Sequence, residues 1–408
     1  MTVLVGSLDQ DVDDDERIDR VRALEVLRSA VAAAQAVETA AFVASQRAEQ
    51  ARMGVPVERV GRGIAAQIGL ARRISPFEAS RYVGQAVILT RELPATFARL
   101  RAGEVSEWRT VIVARQTAWL SAADRASVDI EIAPELDCLG TRRLTDRVTA
   151  LAYRHDPHGY LNRLADAEAD RHVTLRPAPD CMARLTALLP VKAGVAAYAA
   201  LCHAADTSVG IGDEPRTRGQ VMADTLTECL TGHTRASKVP VAVNLIMTDQ
   251  ALLRLGDGAG EPAVVLDAGG SVIPAELARR WITDPTGDTE VFLRRLYTRP
   301  SDGHLAAMDS SARLFTANQR HFLIVRDQRC RTPWCDAPIR HIDHVIPHAE
   351  GGPTTATNGA GLCQACNHAK QAPGWHQEAG TDDEIITITP TRHTYRSRPP
   401  DPPGTIAA

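Results

Sequence analysis

A mainly helical protein with small β elements, an α+β chain, is what the sequence predicts, and three observations predict it. Alanine and leucine abound while aromatic residues make up only 4% of the chain, a balance that favours helices over a sandwich of strands. Apolar residues recur at helical spacing through much of the chain before His172. Four of the eight cysteines crowd into one short stretch toward the C-terminus, where a compact module is expected to be held by something other than its own apolar core.

At 408 residues the chain has room for two or three domains of about 150 residues each. Its 44% apolar and 24% charged residues are ordinary for a soluble globular protein. The formal net charge of −4 excludes a polycation, so any affinity for nucleic acid must be local. Met1 to Leu8 is too short for a secretory leader and runs into acidic residues 9–16. No window reaches about 18 uninterrupted apolar residues. A cytoplasmic protein with no membrane partner is the expectation. In a reducing compartment the cysteines are not expected to form a disulfide framework. Cys138, Cys181, Cys202 and Cys229 are scattered and are expected as buried small hydrophobes.

Taken in order, residues 1–16 read as a disordered acidic tail. Leu24, Leu27, Val31 and Ala34 predict a helix over 17–50. Ser75-Pro76-Phe77-Glu78 announces another, since Ser75 can cap, Pro76 suits the first helical position and Glu78 can close a capping box; Pro94 should end it after Leu93. Further helices at 106–119, 122–138 and 142–153 complete a bundle. Beyond His172 the residues at 172–175 and 181–189 alternate like a hairpin. Helices at 192–205 and 220–230, a strand at 241–247, a hairpin around Gly269-Gly270 and a helix at 274–282 follow. A strand pair at 292–297 and 304–308 closes this region. Thr316-x-x-Gln319 is another capping box, leading a helix to about Arg326. The expected domains are a mostly helical region of unassigned activity at 17–311, a cysteine-held module at 312–377 and a tail at 378–408.

The chemistry lies in the module. Cys330-x4-Cys335 and Cys363-x2-Cys366 are two chelating knuckles, and four thiolates in tetrahedral array suit a structural zinc with no open position. A redox Cys-x-x-Cys is the alternative, disfavoured by the second knuckle. Between the knuckles stands Ile342-Asp343-His344-Val345-Ile346. In a strand, Asp343 and His344 point to opposite sides, so one site can use both only where the strand ends or bends, as Pro347 and Gly351-Gly352 suggest. Asp343 and Asn367 offer hard oxygen ligands for magnesium or manganese. His344 is the natural general base for an attacking water. Asn358 falls in the intervening loop. Arg326, Arg329, Arg331, Arg340 and Lys370 read one by one as solvated surface charges, yet Arg340 and Lys370 are also candidates to grip phosphates, with His341 as a further contact.

Residues 330–376 resemble the HNH endonuclease domain, a ββα-metal finger with its zinc on four cysteines. The resemblance implies His344 as base, Asp343 and Asn367 as holders of the catalytic divalent ion, and Asn358 as a brace for the loop. The motif's last letter is filled here by Asn367 rather than His, with His368 beside it. Leu93-Pro94-Ala95, residues 101–106, residues 174–179 and residues 216–220 resemble the actinobacterial domain of unknown function 222, whose members commonly carry this HNH domain. Together these imply a metal-dependent nuclease acting on DNA, with homo-oligomerisation through the helical region as a further expectation. A non-cleaving zinc module that binds nucleic acid and a nuclease toxin effector are the alternatives.

Overall fold

Asp13 opens the first helix, α1 (Asp14–Arg52): its carboxylate accepts the Glu16 N–H at 2.8 Å. Residues 14–16, expected in a disordered tail, instead form the first helical turn, where negative charge meets the positive end of the helix dipole. The computed structural model describes residues 11–208, 215–232, 245–247, 249–253, 262–265, 271–283 and 314–400. One compact unit comprises the residues up to Asp166 with His368–Pro373; a second comprises Ala167–Asn367 and the residues from Gly374 onward.

In the first unit seven helices follow α1: α2 (Ile64–Arg72), α3 (Pro76–Glu92), α4 (Pro94–Arg101), α5 (Glu107–Thr117), α6 (Ala122–Ile132), α7 (Thr141–His155) and α8 (Pro157–Ala169), the last running into the second unit. The capping box predicted at Ser75 and Glu78 forms with both of its hydrogen bonds. Leu93, Leu100, Val113, Val128, Ile132, Leu136, Leu144 and Val148 are almost wholly buried and make one core. Helices α2, α4 and α8 are short or interrupted patterns that periodicity alone does not isolate.

Tertiary bonds finish what local sequence leaves open. No side chain of Leu93 caps α4; the buried carboxylate of Asp129 on α6 does so, accepting the N–H groups of Ala95 at 2.7 Å and Thr96 at 2.9 Å. At the other end of a neighbour, the buried Arg125 donates to the carbonyls of Thr117, Ala118 and Leu120 beyond α5 and pairs with Glu92. Orphan groups at helix ends are thus met from 5 to 34 residues away in sequence.

Helix α1 is also long and apolar enough, by length and composition, to cross a membrane, with a mean hydropathy of 1.3 in one 18-residue window. Uninterrupted apolar runs do not find it because Ser29, Gln35, Glu38 and Thr39 break the stretch. Ala33 and Ala36 of this helix pack into the core.

The second unit opens with a hairpin, β1 (His172–Ala178) against β2 (Met182–Leu188), antiparallel with Leu175 opposite Leu185. Helices α9 (Val191–Ser208) and α10 (Arg218–Thr231) follow, the latter under a capping box of Thr217 and Gln220. Of the strand expected at 241–247, the described part is β3 (Leu245–Ile246). It pairs with β4 (Ala263–Val265), and β4 with β5 (Ser271–Ile273), antiparallel on either side of the expected Gly269-Gly270 turn, which itself lies outside the described residues. Between β3 and β4 lies the short α11 (Asp249–Leu253), and α12 (Ala275–Thr283) follows β5. The expected pair at 292–297 and 304–308 falls outside the described residues.

Two expectations are corrected. Residues 378–397 are not a tail: β8 (His376–Ala379), β9 (Ile385–Ile388) and β10 (Thr394–Ser397) form an antiparallel sheet in the order β10-β9-β8. Short strands joined by turns with positive φ at Asp382, Asp383 and Arg392 leave little periodicity to read. Cys138, Cys181 and Cys229 are exposed and Cys202 half-buried, so the scattered cysteines are not core residues.

Asp129→Ala leaves two N–H groups at the α4 terminus without their acceptor. The expected loss is on the order of 3 kcal/mol, from two bonds to a charged group, seen as a lower Tm of the first unit by circular dichroism; Asp129→Asn, which keeps one good acceptor oxygen, should lose less.

Candidate functional site

The module starts at α13 (Ala317–Asp327), where Thr316 and Gln319 form the predicted capping box. At its C-terminal end the chain buries charge. Oδ1 of Asp327 accepts Nε of Arg326 at 2.7 Å and Nη1 of Arg331 at 3.0 Å; Oδ2 accepts Nη2 of Arg326 at 3.1 Å and the N–H of Gly361 at 2.7 Å. Arg326 also donates to the carbonyls of Ala356 and Gly359, both at 2.7 Å. Arg331 reaches the carbonyls of Asp383 at 2.7 Å and Ser397 at 3.1 Å. Arg326 and Arg331 are therefore not solvated surface charges, as their sequence context suggested. Burial pushes the Arg331 guanidinium below its ordinary pKa, and Asp327 opposes that shift. Arg329 and Arg340 do sit toward solvent.

Cys330, Cys335, Cys363 and Cys366 come together as expected, all buried, their four Sγ atoms within 4.8 Å of one another. Sγ of Cys335 lies 3.6 Å from Sγ of both Cys363 and Cys366. A tetrahedron of Zn–S bonds near 2.3 Å requires S–S edges of about 3.8 Å, so the donor set and its size both fit zinc. The N–H of Cys366 points at Sγ of Cys363 at 3.4 Å. Hydrogen bonding by its neighbours, Cys330 foremost, holds the Cys363 thiol far below its usual pKa, whereas the same contacts push Cys335 and Cys366 up. Four thiols this close cannot all ionise without a cation among them.

Next to this cluster, β6 (His341–His344) pairs antiparallel with β7 (Gly359–Leu362), setting Asp343 opposite Ala360 and His344 opposite Gly359. His344 is the last residue of its strand, as sharing one site with Asp343 requires. Its ring is 8% exposed, with Nε2 2.9 Å from Oγ1 of Thr354 and ring centroids 4.6 Å from Phe315 and 5.7 Å from His348. Asn358 is buried: its Oδ1 accepts the Ile346 N–H at 2.9 Å, and its Nδ2 donates to the carbonyls of Ile346 at 3.1 Å and Pro353 at 2.8 Å. That closes the turn after β6. A Cβ at Gly352 would fall 1.9 Å from the Ile346 carbonyl oxygen, so the turn needs glycine there.

Asn367 is the fourth residue of α14 (Gln364–Lys370). The first turn is taken by the knuckle, whose Cys363 carbonyl accepts the Asn367 N–H at 3.0 Å. The Asn367 side chain is buried, and its Oδ1 has no hydrogen-bond partner among the described residues. A buried amide oxygen left so costs about 1–3 kcal/mol, which a cation at that oxygen would recover. Asp343 is half-buried. His341 and Lys370 are half-buried and Arg340 is exposed. Thr354, Phe315 and His348 were not read from the sequence; a threonine two residues past the Gly-Gly pair was the available clue, but nothing local says which side chain it meets.

Comparison with known proteins gives two family models in series. The one described as domain of unknown function (DUF222) matches residues 21–327, and the one described as HNH endonuclease matches residues 328–372. The uncharacterized protein Rv3776 of Mycobacterium tuberculosis (strain ATCC 25618 / H37Rv) is 31% identical over 142 residues, 34% of this chain and 25% of that protein. The uncharacterized protein Rv2100 of the same strain is 29% identical over 192 residues, 46% of this chain and 30% of that protein. The chain thus aligns with less than a third of the length of either relative. No solved structure matches it.

Removing the carboxylate of Asp327 leaves two buried guanidiniums facing each other. Asp327→Ala is expected to destabilise the module by about 3–5 kcal/mol, visible as rapid proteolysis of residues beyond 314 while the helices from Asp14 to His155 stay resistant. Parental resistance throughout would show that the network is not what holds the module together.

Proposed function

Because this chain belongs to the DUF222 family and carries an HNH endonuclease domain, we propose that it hydrolyses phosphodiester bonds of DNA with a divalent cation, His344 serving as general base. The observation that carries this reading is an orphaned buried oxygen on Asn367 in the same finger as a strand-end Asp343-His344 pair.

His344 takes the proton of the attacking water; Thr354 orients its ring and Phe315 packs against it. Such base catalysis contributes about 10²–10⁴-fold. Asp343 and Asn367 hold the divalent cation, which when bound supplies charge stabilisation at the scissile phosphate and the leaving 3′ oxygen. Asn358 keeps the turn between the strands closed, so that the base keeps its place. Arg340 grips a flanking phosphate, with His341 and Lys370 as further contacts; these position the duplex without reading its sequence. The four cysteines bind a structural zinc with no open position and so take no part in the chemistry. The helical region serves as scaffold and as the surface for homo-oligomerisation.

Supercoiled plasmid incubated with zinc-loaded protein and magnesium or manganese should become nicked or linear. His344→Ala should cut at least about a hundredfold more slowly while binding the plasmid as tightly. Binding without cutting by the parent would move the reading to a non-cleaving zinc module. Equal rates in parent and variant would remove His344 from the chemistry.

The metal centre has its own test. The purified chain should contain one zinc by elemental analysis, and Cys363→Ser should lose it. A strong chelator should release the zinc and unfold the module, since in small zinc modules the metal supplies about 10–16 kcal/mol of folding energy.

A further inference from the structure

The hairpin of β1 and β2 meets solvent on both sides: no residue of either strand is buried. Its register sorts the side chains by chemistry, because directly opposed residues share a face. Val173, Leu175 and Pro177 lie with Ala187, Leu185 and Ala183 on one side, while the middle of the other side holds Thr174, Arg176, Thr186 and Arg184. Leu175 and Leu185, opposed at the centre, are 54% and 46% exposed. A two-stranded hairpin with a solvated apolar face is marginal by itself, and three or more strands make such a sheet stable.

Both strands are edges among the described residues, and the two edges differ. Strand β1 carries Pro177, which has no N–H to offer a further strand. Strand β2 reads Met-Ala-Arg-Leu-Thr-Ala-Leu, with neither proline nor glycine and with Arg184 as its one charge. An unpaired edge of this length and composition is a template for another strand. The strand is also complementary to itself. Antiparallel pairing of all its residues with a second copy must centre on Leu185, the middle one. That register sets Leu185 against Leu185, Ala183 against Ala187, Met182 against Leu188 and Arg184 against Thr186, so no arginine opposes another across the junction. Centring on Arg184 would put arginine on arginine, and a one-residue slip would turn the apolar face of one copy to the polar face of the other.

We propose that two copies of this chain join through the β2 edge, making a four-stranded antiparallel sheet in the order β1-β2-β2-β1. The proposal rests on the reading that the chain self-associates through its region at 17–311, and it names the contact. The twofold axis stands normal to the sheet, so the apolar faces of both copies lie on the same side. There Leu175 and Leu185 of one copy continue into Leu185 and Leu175 of the other, an unbroken row of leucines in which cross-strand neighbours shield one another. One strand edge is a small interface, which places the dimer among weak associations.

The test is sedimentation velocity of the full zinc-loaded chain, without DNA, across about 1–100 µM. The parent should pass from monomer to dimer over this range. Thr186→Arg sets an arginine opposite Arg184 twice in each dimer and should raise the dimer Kd about tenfold. Within its own chain the new side chain faces Thr174 and solvent, so Tm and zinc content should hold. The double variant Arg184→Glu/Thr186→Arg turns both like-charge pairs into salt bridges and should recover parental association, a recovery that misfolding cannot mimic. A parent that associates while Thr186→Arg associates equally well loses the β2 edge and keeps self-association. A parent that stays monomeric throughout loses both. A double variant that associates no better than Thr186→Arg overturns the register and the proposal with it. Plasmid cleavage enters none of these outcomes, so the nuclease reading stands or falls apart from them.

Discussion

Asp327 is a fully buried carboxylate between two buried guanidiniums, and the C-terminal module is arranged around it. Its two oxygens collect Arg326 from its own helix, Arg331 from the knuckle and the Gly361 N–H from β7. The two arginines carry the connection outward to the loop before β7, through Ala356, and to the C-terminal sheet, through Asp383 and Ser397. Buried ion pairs are weak evidence of net stability, because desolvation offsets much of the attraction. What this one supplies is definition: a set of directional bonds that admits one arrangement of helix, knuckle and sheets.

The reason a polar hub is needed is the poverty of the apolar core. Around the knuckles the buried cluster is Leu362 and the four cysteines themselves. Another small cluster, of Phe315, Leu323 and Ala356, packs under the β6–β7 hairpin. Neither is large enough to hold short strands in register. Crosslinks take over: thiols converging at one end of α14 and guanidinium bonds at the start of β7. A hairpin held from both sides keeps His344 in place at the end of its strand, and the knuckle fixes the first turn of the helix that carries Asn367.

The helical unit is built the other way. Leucine, valine and isoleucine side chains supply a continuous core, and polar bonds at helix ends tie neighbouring helices together. Some of the buried ones come from another helix, as with Asp129 at α4 and Arg125 at the end of α5. A carboxylate placed on one helix to cap another ties their orientations together, which apolar packing alone leaves looser.

Read as a sequence, the chain already declared its mainly helical class, the capping boxes at Ser75 and Thr316, the four clustered cysteines and the candidate residues between them. Each of these is written in a short window: a cap needs four residues, a knuckle four to six, a helix stripe a dozen. The strands β8 to β10 were missed because four-residue strands with mixed burial show no clean alternation, and they are defined by pairing with one another rather than by their own pattern. The roles of Arg326, Arg331 and Asp129 and the contact of His344 with Thr354 were decided only by tertiary structure. Charge and aromatic side chains look the same in a sequence whether solvated or buried. Which they become depends on partners tens of residues away, brought near only when the chain has folded.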